Sequence, residues 1–289
     1  MKLGIVGKGG VGKTTTSTLV AQAYVARGLR VLAVDTDSNP NLALSLGLDP
    51  DTADHLPILP RALVVGTGNG AMTPADLLRQ YALDTPAGVT LLNAMAVTQA
   101  GAGCTCTSHA TVRSLLGAAI EEETDICLVD MEAGLEHLSR AGGTLAYADV
   151  LLVVMEPTRK SILTAARTIT LARELGIPRV FGVGNKAVLP GDQAFFEEVA
   201  AEYGVPLAGV VPHDEAVVLA DRTSHVLPPG TAPAVRAAVE DILDFVDKEL
   251  AGQAPNQAER EALRREKERV DRRLAELGVT AAAAQRPTA

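Results

Sequence analysis

The sequence contains no tryptophan, only four phenylalanines and four tyrosines, and three cysteines among 289 residues. With aromatics at 3% and the apolar set at 47%, a core has to be assembled from Ala, Val, Leu and Ile, a composition that suits buried parallel strands covered by helices. Three cysteines are poor material for a disulfide framework and better material for metal or redox chemistry. Positive charge is scarce as well: a net charge of -9 argues against broad electrostatic binding to DNA or to an anionic bilayer, since both need a basic surface. No apolar run approaches the roughly 20 residues of a membrane-spanning helix. The chain opens on MKLGIVG and enters a glycine-rich loop without a basic, apolar and cleavage region in succession, so a cytoplasmic location is expected.

What is present alternates in type. Short apolar runs at residues 2–7, 30–35, 126–130, 150–155, 179–184 and 207–211 read as buried strands. Apolar spacing places helices at about 14–27, 108–120, 158–175, 192–203 and 234–250. Alternation of this kind predicts an α/β fold, a mostly parallel sheet covered by helices on both faces. Residues 49–72, rich in Pro, Gly, Asp and Thr, read as an irregular surface excursion with at most short elements. One domain is expected over 1–252. A charged helical extension follows over 253–279, with Leu263, Val270, Leu274 and Leu277 as its substantial apolar points, and a polar tail over 280–289 is expected to be disordered.

The most specific motif is GKGGVGKTT, Gly7 to Thr15, lying between a predicted strand and a predicted helix. That is the context of a phosphate-binding loop. Gly7, Gly9, Gly10 and Gly12 free the backbone so that successive N–H groups, including that of Val11, can face phosphate oxygens at a helix N-terminus. Lys13 is expected at the β and γ phosphates, the Thr14 hydroxyl on Mg²⁺, and Thr15 at a phosphate nearer the ribose. Lys8 adds information, because it matches the signature lysine of the deviant Walker A P-loop ATPases. The sequence therefore resembles the family that includes the MinD and ParA ATPases, the nitrogenase iron protein and the ATPases that insert nickel into carbon monoxide dehydrogenase. The resemblance implies a three-layer P-loop NTPase fold and a homodimer in the nucleotide-bound state, with Lys8 reaching the partner's nucleotide.

Asp35 and Asp37 in VDTD stand at the end of the second strand, where one carboxylate can organise Mg²⁺ through water and the other can orient attacking water. The resemblance assigns water activation to Asp37 and likens SNPNLALSLG to a first switch; Asp and Asn capping nearby helices is the plainer alternative. Asp130 begins DMEAG, which resembles a Walker B and second-switch segment, so Asp130 is expected to hold the Mg²⁺ hydration shell and Gly134 to meet the γ phosphate. Glu132 and His137 also look family-like, and no role is assigned to them. Asn185 in GNKA matches the family's adenine-recognition asparagine, and backbone from Pro212 through His213 to Asp214 is expected to close the other side of the purine. Ala187 stands where a GTPase would more often carry Asp, which favours ATP.

Cys104 and Cys106 form a CTC pair. One such pair cannot complete a tetrahedral thiolate site, but two copies across a dimer axis supply four sulfurs for Ni²⁺ or Zn²⁺. Two cysteines packed as small hydrophobes are the alternative. Cys127 lies in a predicted strand and reads as core, and His109 reads as a helix-start residue or an aid to the cysteines. The CxC segment together with DMEAGLEHL resembles the nickel-insertion ATPases more than ordinary MinD and ParA proteins. It implies a metallochaperone ATPase whose client is a nickel enzyme such as carbon monoxide dehydrogenase. Two rivals stay open: a partitioning or positioning ATPase that binds DNA or membrane, and a nucleotide-gated scaffold that pairs through Leu263, Val270 and Leu277.

Overall fold

The computed structural model describes residues 1–60, 71–94, 112, 115–116, 123–132, 145 and 148–251. Its strands are β1 (Lys2–Gly7), β2 (Val31–Thr36), β3 (Ala82–Asp84), β4 (Thr90–Asn93), β5 (Ile126–Met131), β6 (Val150–Met155), β7 (Val180–Ala187) and β8 (Leu207–Pro212). Its helices are α1 (Lys13–Ala26), α2 (Leu42–Ser45), α3 (Pro50–Asp54), α4 (Pro74–Tyr81), α5 (Arg159–Glu174), α6 (Asp192–Glu202), α7 (Glu215–Thr223) and α8 (Pro233–Ala251). The strands form one sheet in the order β3-β4-β2-β5-β1-β6-β7-β8, and β3 alone runs antiparallel to its neighbour. This is the P-loop NTPase architecture expected from the sequence.

The period-2 alternation of the strands divides the core into two layers. Leu3, Ile5, Val31, Ala33, Val150, Leu152 and Val154 pack with Leu19 and Tyr24 of α1 and with Val239 and Ile242 of α8. Val6, Leu32, Val34, Leu151, Val153 and Met155 pack on the opposite face with Ile162 and Ile169 of α5 and Phe196 of α6. Both faces of the central strands are covered, so these strands carry unbroken apolar runs and are legible in the sequence. Of the helix expected at 108–120, Val112, Leu115 and Leu116 are described, and all three are helical and fully buried.

Strands β3 and β4 and helices α2, α4 and α7 are not among the elements expected from the sequence. The β3–β4 hairpin forms one edge of the sheet, with β4 parallel to β2, and is closed by Thr85, whose hydroxyl donates to the Val89 carbonyl at 2.8 Å, and by Gly88 at φ 73. A strand of three residues leaves too little pattern to read. Helix α4 is different, since its start signal was present: Thr73 accepts from the Asp76 N–H, with Pro74 at the first helical position. Helix α7 begins in the same way, with Asp214 accepting from the Ala216 N–H at 2.8 Å. Among the described residues, no helix is long and apolar enough to cross a membrane.

Candidate nucleotide site

The loop after β1 emerges between β5 and β6, at the point in the strand order where successive crossovers leave toward opposite edges of the sheet. Open α/β sheets bind ligands there, beyond the carboxyl ends of the strands. Helix α1 starts from Gly12 at φ 93, with no side chain capping its first amides. An uncapped helix start following left-handed glycines at Gly10 (φ 81) and Gly12 leaves backbone N–H groups for an anion. Gly12 has a second reason to lack a side chain, since a Cβ there would collide with the Asn185 amide. Lys13 is buried, and its Nζ makes a 3.5 Å contact with the Lys8 carbonyl, whereas the side chain of Lys8 is exposed.

Beneath the loop sit two buried carboxylates. Asp130 and Asp35 are cross-strand register partners on β5 and β2, and each is only 2% exposed. Asp130 accepts from the Thr14 hydroxyl at 2.8 Å and from the Ser17 hydroxyl at 2.9 Å. Burial raises its pKa to about 6, while the two hydroxyls and the nearby Lys13 ammonium pull it down. Asp35 is pushed up to about 7, by burial first and then by the charge on Asp130. Its two oxygens accept from the N–H groups of Asp37 and Leu42, both at 3.0 Å, so Asp35 also ties the 37–42 loop to the end of β2. That clamping role was not read in the sequence. Two buried carboxyl groups and two hydroxyls form an oxygen-only donor set, and this chemistry fits a hard divalent cation such as Mg²⁺, whose charge would favour the ionised carboxylates.

Asp37 is part-exposed, and its Oδ1 accepts from the Asn39 N–H at 2.9 Å, which folds the turn that follows β2. The Ser38 hydroxyl donates to Glu132 Oε1 at 2.8 Å, joining the segment after β2 to the one after β5. Glu132, given no role from the sequence, thus acquires a structural one.

On the other side of the loop, the end of β7 presents Asn185, whose Nδ2 donates to the Val11 carbonyl at 2.9 Å. One amide donor of the expected base-recognition residue is therefore spent on the phosphate loop. The neighbouring Lys186 Nζ donates to the Gly10 carbonyl at 2.5 Å, a contact that was not foreseen. Pro212 ends β8 opposite Ala187, and the His213 N–H donates to the Ala187 carbonyl at 2.8 Å, so the segment from Pro212 to Asp214 lies beside the end of β7. The His213 ring lies 3.3 Å from Glu215 Oε1, and the Asp214 carboxylate is occupied as the cap of α7. The Thr15 hydroxyl donates to Asp221 Oδ2 at 2.7 Å, across 206 residues of sequence. Nothing in the sequence signals Asp221, whereas Ser17, one turn after Thr14 on α1, was within reach of helical spacing.

A family model for the CobQ/CobB/MinD/ParA nucleotide binding domain matches residues 5–226. The chain belongs to that family. It is 37% identical to the carbon monoxide dehydrogenase accessory protein CooC of Rhodospirillum rubrum, over 77% of this chain and 87% of that protein. It is 28% identical to the septum site-determining protein MinD of Bacillus subtilis, over 81% of this chain and 82% of that protein. In fold it is similar to MinD of Pyrococcus horikoshii OT3 complexed with Mg-ADP, with a TM-score of 0.66 at 20% identity over 88% of this chain and 99% of that one. Membership of this nucleotide-binding family agrees with the position of the loop, the uncapped start of α1 and the paired carboxylates. Cys104, Cys106, His109, Gly134, His137 and the 253–289 extension lie outside the described residues. Among the described residues, Cys127 is buried in β5, as expected, and no group of three or more His, Cys, Asp or Glu side chains is gathered to hold a metal ion.

Proposed function

We propose that the chain is an ATP-hydrolysing, nucleotide-dependent homodimeric metallochaperone that couples MgATP to nickel handling for carbon monoxide dehydrogenase maturation. The observation that carries the ATPase part is the cluster of half-buried Thr14 with buried Asp130 and Ser17, directly under an uncapped, glycine-built helix start. The amides from Gly9 to Gly12 and the Lys13 ammonium bind the β and γ phosphates, and Thr15 holds a phosphate nearer the ribose. Asn185 and the backbone from Pro212 to Asp214 flank the adenine. Thr14, Asp130 and Asp35 would hold Mg²⁺, partly through water, and the ion would neutralise charge on the phosphate oxygens. Asp37 orients a water for attack on the γ phosphorus. The bond from phosphorus to the β–γ bridging oxygen breaks, and ADP and inorganic phosphate are released. Lys8, exposed on the loop, reaches the partner's nucleotide and makes each site depend on the dimer.

The nickel part rests on the identity with CooC and on the Cys104–Cys106 pair, whose thiolates from two subunits would complete a four-sulfur site. Metal stoichiometry and oligomeric state, measured with and without nucleotide, test it. The Cys104→Ala, Cys106→Ala double variant is expected to keep MgATP hydrolysis and to lose metal; full metal binding by this variant would overturn the assignment. Similarity to the septum site-determining protein MinD of Bacillus subtilis supports a second reading, a partitioning or positioning ATPase that binds DNA or membrane. ATP-dependent co-sedimentation with vesicles or DNA would favour it.

A further inference from the structure

The ladder between β7 and β8 is irregular, with its register shifting between Gly184 and Ala187, and inside that irregularity Lys186 takes φ 58. A residue with a Cβ is disfavoured in this left-handed region, and such backbone persists where surrounding contacts enforce it, commonly at functional sites. The bend delivers two consecutive side chains to one loop: Asn185 Nδ2 to the Val11 carbonyl at 2.9 Å, and Lys186 Nζ to the Gly10 carbonyl at 2.5 Å. In a planar trans peptide, the C=O and the following N–H point in opposite directions. Holding the Gly10 carbonyl therefore sets the direction of the Val11 N–H, and holding the Val11 carbonyl sets that of the Gly12 N–H. The Val11 N–H has otherwise only a 3.5 Å contact with the Lys8 carbonyl, the far limit of a hydrogen bond. With glycines at Gly9, Gly10 and Gly12, the loop has little of its own to prevent these peptide planes from turning.

We propose that Lys186 is a positioning residue which, beside Asn185, pre-orients the Val11 and Gly12 amides toward the phosphates of a nucleoside di- or triphosphate. The inference rests on the nucleotide site proposed above and adds a cationic pin outside the phosphate-loop motif. It assigns the left-handed conformation at Lys186 a function, since the bend brings the ammonium onto a loop carbonyl.

The test is calorimetric titration of the full chain with MgADP, for the wild type and for Lys186→Met, Lys186→Arg and Lys186→Gly. Loss of the charge-assisted bond in Lys186→Met is expected to weaken MgADP binding about tenfold. Lys186→Arg, which keeps a cationic donor, is expected to recover binding to within about threefold of the wild type. Lys186→Gly removes both the pin and the backbone strain, so its melting temperature should equal or exceed that of the wild type while binding falls as in Lys186→Met. In steady-state hydrolysis, the KM for ATP should rise by the same factor, with kcat at saturation within about twofold, because the same amides serve ground and transition states. Wild-type affinity in both Lys186→Met and Lys186→Gly would overturn the inference alone. A wild type that does not bind MgADP would overturn the nucleotide site itself and this inference with it.

Discussion

Replacing Asp130 by Asn should make the nucleotide-free protein more stable while disabling it. Asp130 is 2% exposed, and its pKa stands at about 6, against an ordinary value of 3.8, mainly because burial penalises the ionised form. Between those two values the native state binds more protons than the unfolded state, so this group's stability contribution is full below pH 3.8 and is lost as the pH rises through about 6. At pH 8 the loss amounts to about 3 kcal/mol. An asparagine removes the charge and keeps both local bonds: its carbonyl accepts from one of the Thr14 and Ser17 hydroxyls, and its amide donates to the other. It also relieves the repulsion that raises the pKa of Asp35, an effect of the same sign. Urea denaturation of wild type and Asp130→Asn across the pH range gives the measurement. The variant's advantage should be about 1 kcal/mol at pH 4.5 and approach about 3 kcal/mol above pH 7, while Mg²⁺-dependent nucleotide binding falls more than about tenfold. A variant less stable than the wild type at pH 8, or an advantage that does not change with pH, would refute the reasoning.

Two further perturbations test other contacts. Gly12→Ala places a Cβ against the Asn185 amide at a residue with φ 93, and should cost about 2–3 kcal/mol of stability through left-handed strain and the lost bond to Val11. Thermal melts measure that cost, and nucleotide titration should show binding falling with it; a neutral substitution would mean that the loop is not held from β7. Arg27 joins the end of α1 to α8 through Glu240 and Asp244, both at 2.6 Å, and Asp247 at 2.8 Å. Arg27→Met should cost about 1 kcal/mol, since these carboxylates are partly solvated. The difference should shrink in high salt, as followed by urea denaturation at two ionic strengths.

Several of these features were open to reading in the chain alone. Central strands such as KLGIVG and VLLVVM carry their own signal, because burial on both faces demands unbroken apolar runs. GKGGVGKTT declares itself because phosphate binding by backbone amides needs contiguous glycines and lysine at fixed spacing. Asp35 and Asp130 were identifiable as strand-end carboxylates. The hairpin over 82–93 is not legible because its edge strand is too short to alternate visibly, whereas α4 carries a start signal in its Thr73-Pro74 pair but only two turns of apolar spacing to follow it.

Local chemistry, then, was determined by the sequence: which segments are buried strands, where an anion can sit, and which carboxylates stand at strand ends. Tertiary structure alone decided how that chemistry is combined. The strand order puts β5 between β1 and β2, bringing Asp130 under Thr14 and Ser17, and it turns the end of β7 onto the loop so that Asn185 and Lys186 hold its carbonyls. Contacts between residues more than a hundred positions apart leave no periodicity in the chain. They arise only when the sheet aligns the ends of strands that the sequence keeps separate.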